Sequence, residues 1–321
     1  MVWASRSRWL LLGVALLAVM FSACATSTRS PSSAADSRAQ VVLRVTTPTA
    51  TAAIHQGAPL PASPPIHAAA AFLINPDTGA VYLASNADTP LAMASTTKIM
   101  TAIVALSVGR LDMPITVQKD AIGLADGQAS TAGLEAGETL TLHDMLYALL
   151  LPSGDDAAVA IADSVAGSQE QFVALMNAES ALLGLWHTHY NDVHGLDATD
   201  HYTTARDLAR LTSFAMRSPT FSRIVATAEY AVPPTDEHHQ HKWITTNELL
   251  TDYVYPGVTG VKTGFTGTAG HCLVFTATRP YGHLLGVLLN EPDDPARFSD
   301  ARTLLDWGFS LEQQGITPPS P

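Results

Sequence analysis

Lysine is nearly missing from this chain, with four residues against thirteen arginines in 321. Wherever a plain surface cation is wanted the sequence writes Arg, which leaves lysine for places where an amine able to give up its proton has a use. Basic charge of any kind is short, for the net charge is −12 and the pI near 5.3. With no basic face in view, that balance excludes a nucleic-acid partner, because phosphate neutralisation needs clustered cations. Long apolar runs are lacking too. The stretch from Trp9 to Phe21 is apolar but too short for an ordinary spanning helix. Cysteine is scarcest, at two residues, Cys24 and Cys272.

What is present begins with an export leader over residues 1–25, where Arg6 and Arg8 precede the apolar stretch. Phe21-Ser22-Ala23-Cys24 resembles the lipobox of bacterial lipoproteins, in which cleavage leaves an N-terminal Cys carrying acyl chains. Phe21 departs from the Leu usual there, and ordinary cleavage after Ala23-Cys24-Ala25 or an uncleaved anchor also fits. Residues 26–65, rich in Ser, Thr, Ala and Pro, read as a flexible spacer. Residues 66–310 suffice for one two-lobed domain, followed by a short tail, 311–321. The expected location is the cell envelope, with the body tethered by its N-terminus to the outer face of the cytoplasmic membrane. If Cys24 is lipidated, Cys272 is the one thiol left, no internal disulfide forms, and core packing must supply the stability.

Along the body, Ala68–Leu73 and Ala80–Leu83 flank Asn75-Pro76-Asp77-Thr78-Gly79, which is turn chemistry, so the domain opens with a hairpin. Ser95 then precedes Ile99, Ile103 and Leu106, a helical spacing that puts Ser95 and Lys98 one turn apart at a helix start. Helical patterns follow over 142–151, 157–165, 169–183 and 204–216. Strand patterns cover 258–266, 271–278 and 284–289, and a closing helix covers 294–309. Strands at both ends and helices between predict an α+β fold: an antiparallel sheet built from both chain ends, with a helical lobe beside it and the site at the seam.

Three short motifs fall on this frame in order. Ser95-Thr96-Thr97-Lys98 is on a helix, Ser153-Gly154-Asp155 follows Pro152 where a loop can point into a cleft, and Lys262-Thr263-Gly264 is on a strand. Each alone is weak. A serine before a helix is ordinarily a cap, Ser-Gly is ordinarily a turn, and a lysine on a strand is ordinarily an edge charge. Together, as SxxK, an SxN-like triplet and KTG, they resemble the signature of the penicillin-recognising serine acyltransferases. Within that superfamily the chain resembles the D-alanyl-D-alanine carboxypeptidase family of low-molecular-mass penicillin-binding proteins. The likeness rests on Met93–Met100, Leu150–Ala158, His194-Gly195-Leu196-Asp197, Gly260–Gly264, and Phe298-Ser299-Asp300 ahead of Leu304-Leu305-Asp306. It implies a β-lactamase/transpeptidase-like fold. Longer members add a β-rich C-terminal domain and an anchor helix, so any tether here is expected at the N-terminus.

The resemblance implies a serine-type carboxypeptidase that removes the terminal D-alanine from a peptidoglycan stem peptide ending in D-Ala-D-Ala, with β-lactam antibiotics as covalent inhibitors. Ser95 would be the nucleophile and Lys98 its base, which must be a neutral amine to take the proton. Ser153 would pass a proton to the leaving amine. Lys262 and Thr263 would grip the terminal carboxylate, Gly264 would keep the strand open, and N–H groups of Ser95 and Phe265 would form the oxyanion hole. No cofactor is implied. Asp155 departs from the family, which usually has Asn. An ionised Asp only accepts hydrogen bonds and holds Lys98 as an ammonium, so the expectation is an active enzyme with its pH profile displaced to alkaline values.

Other readings remain. A D,D-endopeptidase shares the fold, a class A β-lactamase would need a Glu that the sequence does not offer convincingly between Ser153 and Lys262, and Asp155 motivates a catalytically silent cell-wall binder. His194 is expected to order the loop after Asn191. His238-His239-Gln240-His241 reads as a polar hairpin tip and no metal site is expected, because no ligand spacing such as HExxH is present.

Overall fold

The computed structural model describes residues 60–122, 129–316 and 318. The expected leader, Cys24 and nearly all of the spacer lie outside them. The described residues form one unit by their internal contacts.

The opening hairpin is β1, Ala70–Ile74, and β2, Val81–Ser85, closed by the Asn75 side chain accepting from the N–H groups of Asp77 and Thr78. The chain returns 170 and more residues later with β7, Val258–Thr266, β8, Gly270–Arg279, and β9, Gly282–Glu291. They join in one antiparallel sheet of order β2-β1-β9-β8-β7, with Phe72 opposite Val287 and Lys262 opposite Val274. The union of both chain ends follows the sequence expectation.

Both faces of this sheet are covered, so its central strands are mostly apolar, with Thr276 on β8 a buried exception. On β9, Leu284 and Leu288 face the closing helix α7, Asp294–Gln313, in a core with Phe275, Phe298, Leu305 and Phe309. The alternate residues Leu285, Val287 and Leu289 face the helical lobe. Each such side chain stabilises the fold by roughly 1.5–3 kcal/mol relative to exposure. α7 runs beyond the predicted end at 309, carried by Leu311, which is buried in the same core.

The lobe contains α1, Lys98–Val108, α2, Leu142–Leu150, α3, Asp155–Ala166, α4, Gln169–Leu183, α5, Ala205–Ala215, and α6, Pro219–Val225. Thr141, Ser168, Thr204 and Ser218 cap α2, α4, α5 and α6 by accepting from N–H groups of the first turn. α3 is buried from Asp155 to Ala162, the all-round burial of a central helix. Two small ribbons complete the domain: β3, Pro114–Thr116, with β4, Thr139–Thr141, and β5, Glu229–Val232, with β6, His241–Ile244. Among the described residues no helix is long and apolar enough to cross a membrane.

Candidate active site

β7 ends the sheet, and the 3-10 turn Ala94–Thr97 that leads into α1 packs on it. Ser95 therefore sits in that turn, one residue group before the α-helix proper, rather than inside it. Close packing explains the glycine of the third motif. A Cβ on Gly264 would stand 3.0 Å from both Ala94 Cβ and the Ser95 nitrogen. Gly195 is under a harsher constraint, for a Cβ there would lie 2.0 Å from the Ala94 carbonyl oxygen, and its φ of +99° is one that L side chains rarely adopt.

Lys98, fully buried, donates to Ser95 Oγ at 2.8 Å, to Asp155 Oδ1 at 2.5 Å and to the His194 carbonyl at 2.8 Å. An ammonium has three N–H donors, and all three are taken here. A neutral amine in the same place would keep two, to Asp155 and the carbonyl, and turn its lone pair to the Ser95 hydroxyl. His194 serves through its backbone, and its ring contacts Asp192 at 3.1 Å. Asp155 is the first residue of α3, not part of a projecting loop as the sequence suggested, and its second oxygen accepts from the Ser130 N–H at 2.8 Å.

Ser153 does lie in the connection between α2 and α3, with φ of +68°. Ala94, just before Ser95, has φ of +47°. Left-handed backbone costs a non-glycine residue roughly 1–2 kcal/mol, and such strain gathers where function requires a side chain to be aimed. Ser153 Oγ is buried and has no hydrogen-bond partner among the described residues. A buried hydroxyl in that condition is costly unless a bound molecule satisfies it.

Across the seam, Lys262 is 1% exposed and donates to the Thr263 carbonyl at 3.0 Å. Burial first, then the charges of Lys98 and Arg297, push its amine well below the usual lysine range, opposed in part by Asp155. Thr263 Oγ1 shares a hydrogen bond of 2.5 Å with Thr246 Oγ1. Arg297 on α7 donates to the Gly264 carbonyl at 3.1 Å, and Thr266 Oγ1 donates to Asp197 at 2.5 Å, tying the end of β7 to the 194–197 segment. Phe265 is 54% exposed with its ring 4.3 Å from that of His271. Cys272 is buried, and burial raises its thiol to about 11, leaving it inert.

The structure thus brings Ser95, Lys98 and Asp155 into direct contact, with Gly264 against the backbone of Ser95. Sequence reasoning missed Ser130, Thr246, Arg297 and the His194 carbonyl. The first acts through backbone, as does the last, and neither leaves a signal in residue type.

A hydroxyl beside a lysine amine, faced by a second buried amine, suits acyl transfer from a substrate that ends in a carboxylate. The sequence model of the D-alanyl-D-alanine carboxypeptidase family matches residues 58–293. The D-alanyl-D-alanine carboxypeptidase of Streptomyces sp. strain K15 is 37% identical over 261 residues, 77% of this chain and 89% of that protein. The D-alanyl-D-alanine carboxypeptidase DacC of Escherichia coli K12 is 35% identical over 270 residues, 81% of this chain but 65% of the longer relative. Among solved structures, the Streptomyces K15 DD-transpeptidase matches with a TM-score of 0.74 at 37% identity, over 78% of this chain and 100% of that one.

Proposed function

This chain belongs to the D-alanyl-D-alanine carboxypeptidase family of serine peptidases, and on that premise we propose how its own residues release the terminal D-alanine from a peptide ending in D-Ala-D-Ala. Ser95 Oγ attacks the carbonyl between the two D-alanines while Lys98, as a neutral amine, takes the hydroxyl proton. The proton passes through Ser153 Oγ to the leaving nitrogen, the C–N bond breaks, and D-alanine departs from an ester on Ser95. Water, deprotonated by the same amine, then hydrolyses the ester. Lys262 and Thr263 hold the substrate carboxylate, and backbone N–H groups of Ser95 and Phe265 receive the oxyanion, a service whose loss costs a hundredfold or more in rate as an order of magnitude.

The observation that carries this reading is the 2.8 Å contact of Lys98 Nζ with Ser95 Oγ, opposite the buried, anion-free amine of Lys262. Asp155 fits an active enzyme by holding the Lys98 amine in place beside Ser95 through the 2.5 Å contact to its Oδ1. Solved structures of the Streptomyces K15 relative describe it as a DD-transpeptidase. Both activities share the ester on Ser95 and differ in whether water or an amine accepts the acyl group. The apolar leader and the spacer support a cell-envelope location with an N-terminal tether, and a peptidoglycan stem peptide as substrate.

Purified protein incubated with labelled penicillin and, separately, with a peptide ending in D-Ala-D-Ala tests the proposal. Stable label on Ser95 together with D-alanine release is expected. Rapid penicillin turnover would make it a β-lactamase instead, absence of label a silent binder, and cleavage of a cross-linked stem dimer in preference to the linear peptide an endopeptidase.

A further inference from the structure

Outside the cleft, the connection 233–240 of the β5–β6 hairpin brings His239 back beside His241, and both rings turn onto Glu138, the residue before β4. Glu138 Oε2 is fixed by the Glu135 N–H at 2.8 Å. That leaves Oε1 facing His239 Nδ1 at 2.5 Å and His241 Nε2 at 3.2 Å, with the His239 N–H donating to it at 2.9 Å. Each residue offers one ligand atom, all within 4.8 Å of one another. Glu138 and His241 are buried, whereas His239 is 46% exposed in its side chain.

We propose that Glu138, His239 and His241 form a binding site for a divalent transition-metal ion, zinc in the first instance. Two imidazole nitrogens and a carboxylate oxygen are a zinc donor set, with bonds of about 2.0–2.2 Å that put tetrahedral ligand atoms roughly 3.3 Å apart. Glu138 and His241 already stand at that separation, and the exposed His239 ring needs to withdraw by less than about 1 Å to match it. Water, or His238, whose ring centre is 6.1 Å from that of His241, completes the shell.

The ion would pin the hairpin to the β3–β4 ribbon. Trp243 on β6 already donates to the Ala132 carbonyl at 2.8 Å, and two residues earlier the Ser130 N–H holds Asp155. The segment from 130 to 138 therefore joins the metal site to the cleft. The expected polar hairpin tip is what residues 233–240 form, and the sequence gives no sign of Glu138 beside it, which stands 101 residues before His239.

The full chain, stripped with a chelator, is titrated with Zn2+ against a chromophoric competitor, and with Co2+ followed by its visible bands. One ion per chain with tetrahedral cobalt bands is expected. Glu138→Gln and His241→Ala should each weaken binding by at least about a hundredfold, since removing even outer-shell partners costs 10–100-fold. The exposed His239→Ala should do likewise and serves if a buried variant misfolds, with near-ultraviolet circular dichroism reporting the fold. His67→Ala, at the other carboxylate–imidazole cluster beside Asp300, should leave the titration unchanged. No binding by the parent, or equal binding by parent and all three ligand variants, overturns the proposal.

Discussion

The two walls of the cleft each bury a lysine, to 0% exposure for Lys98 and 1% for Lys262, and then treat it in opposite ways. On the helical wall Lys98 has a carboxylate, a carbonyl and a hydroxyl within hydrogen-bond reach. On the sheet wall Lys262 has a neighbouring carbonyl and two cations, Lys98 and Arg297, that disfavour its charge. A buried ammonium without an anion is costly. Among the described residues the helical wall supplies its own anion and the sheet wall supplies none. Two residues of one type and one burial are thus set apart by their surroundings, as the proposed roles of proton carrier and anion receptor require.

Exchanging these roles gives the largest expected effect. Lys98→Met should lower kcat/KM for D-alanine release by about a thousandfold, the scale of a lost general base. Lys262→Met should act mainly on KM, raising it by roughly 10–100-fold, as loss of a charged hydrogen bond of about 1.5–3 kcal/mol requires. The pH dependence carries a sign. In the empty cleft Lys262 gives up its proton well below the ordinary lysine range. Above that point, binding a carboxylate must draw a proton back, so KM for the parent should climb about tenfold per pH unit. A KM that stays level through the alkaline range would remove the distinction between the walls.

Packing offers the next largest test. Gly195→Ala on the helical side meets the Ala94 carbonyl and forbids the observed φ, so about 3 kcal/mol of stability should be lost. Gly264→Ala on the sheet side meets the looser 3.0 Å contacts and should lose about 1 kcal/mol. Denaturant midpoints decide it, and equal losses would mean that the seam yields from either side. These contacts also mark what was readable beforehand. β7 and α4 fall on the residues predicted for them, since β7 carries the Lys262-Thr263-Gly264 motif and α4 fifteen residues of helical pattern. The seven-residue α6 and the three-residue β3 and β4 carry too little. The early start of α3 was signalled by the acidic pair Asp155-Asp156, a favourable first turn at a helix N-terminus. Motif residues were legible as types in order. Their partners were not, because Thr246, Ser130 and Arg297 reach the site across 17, 25 and 33 residues of chain.

Removing the anion built into the helical wall should make the walls more alike. Asp155→Asn keeps an acceptor for Lys98 but carries no charge. Asp155 is the charge that opposes the loss of the Lys262 proton, so KM should begin its climb at lower pH in the variant. KM profiles of parent and variant that superimpose would sink this account of Asp155.

The smallest effect separates function from stability at Ser153, which stands between the walls. Its φ of +68° is strained for serine and free for glycine, and its buried hydroxyl finds no partner among the described residues. Ser153→Gly therefore relieves about 1 kcal/mol of backbone strain and removes an unpaired polar group. Some of that gain is offset by the greater freedom of glycine in the unfolded chain. The variant should melt at a temperature equal to or above that of the parent while its kcat falls, since no hydroxyl remains to hand a proton to the leaving amine. A lower melting temperature with unchanged kcat would show that the hydroxyl holds the fold rather than serving the substrate. The strain would then be a feature of the α2–α3 connection alone, and the proton taken by Lys98 would need another route to the leaving nitrogen.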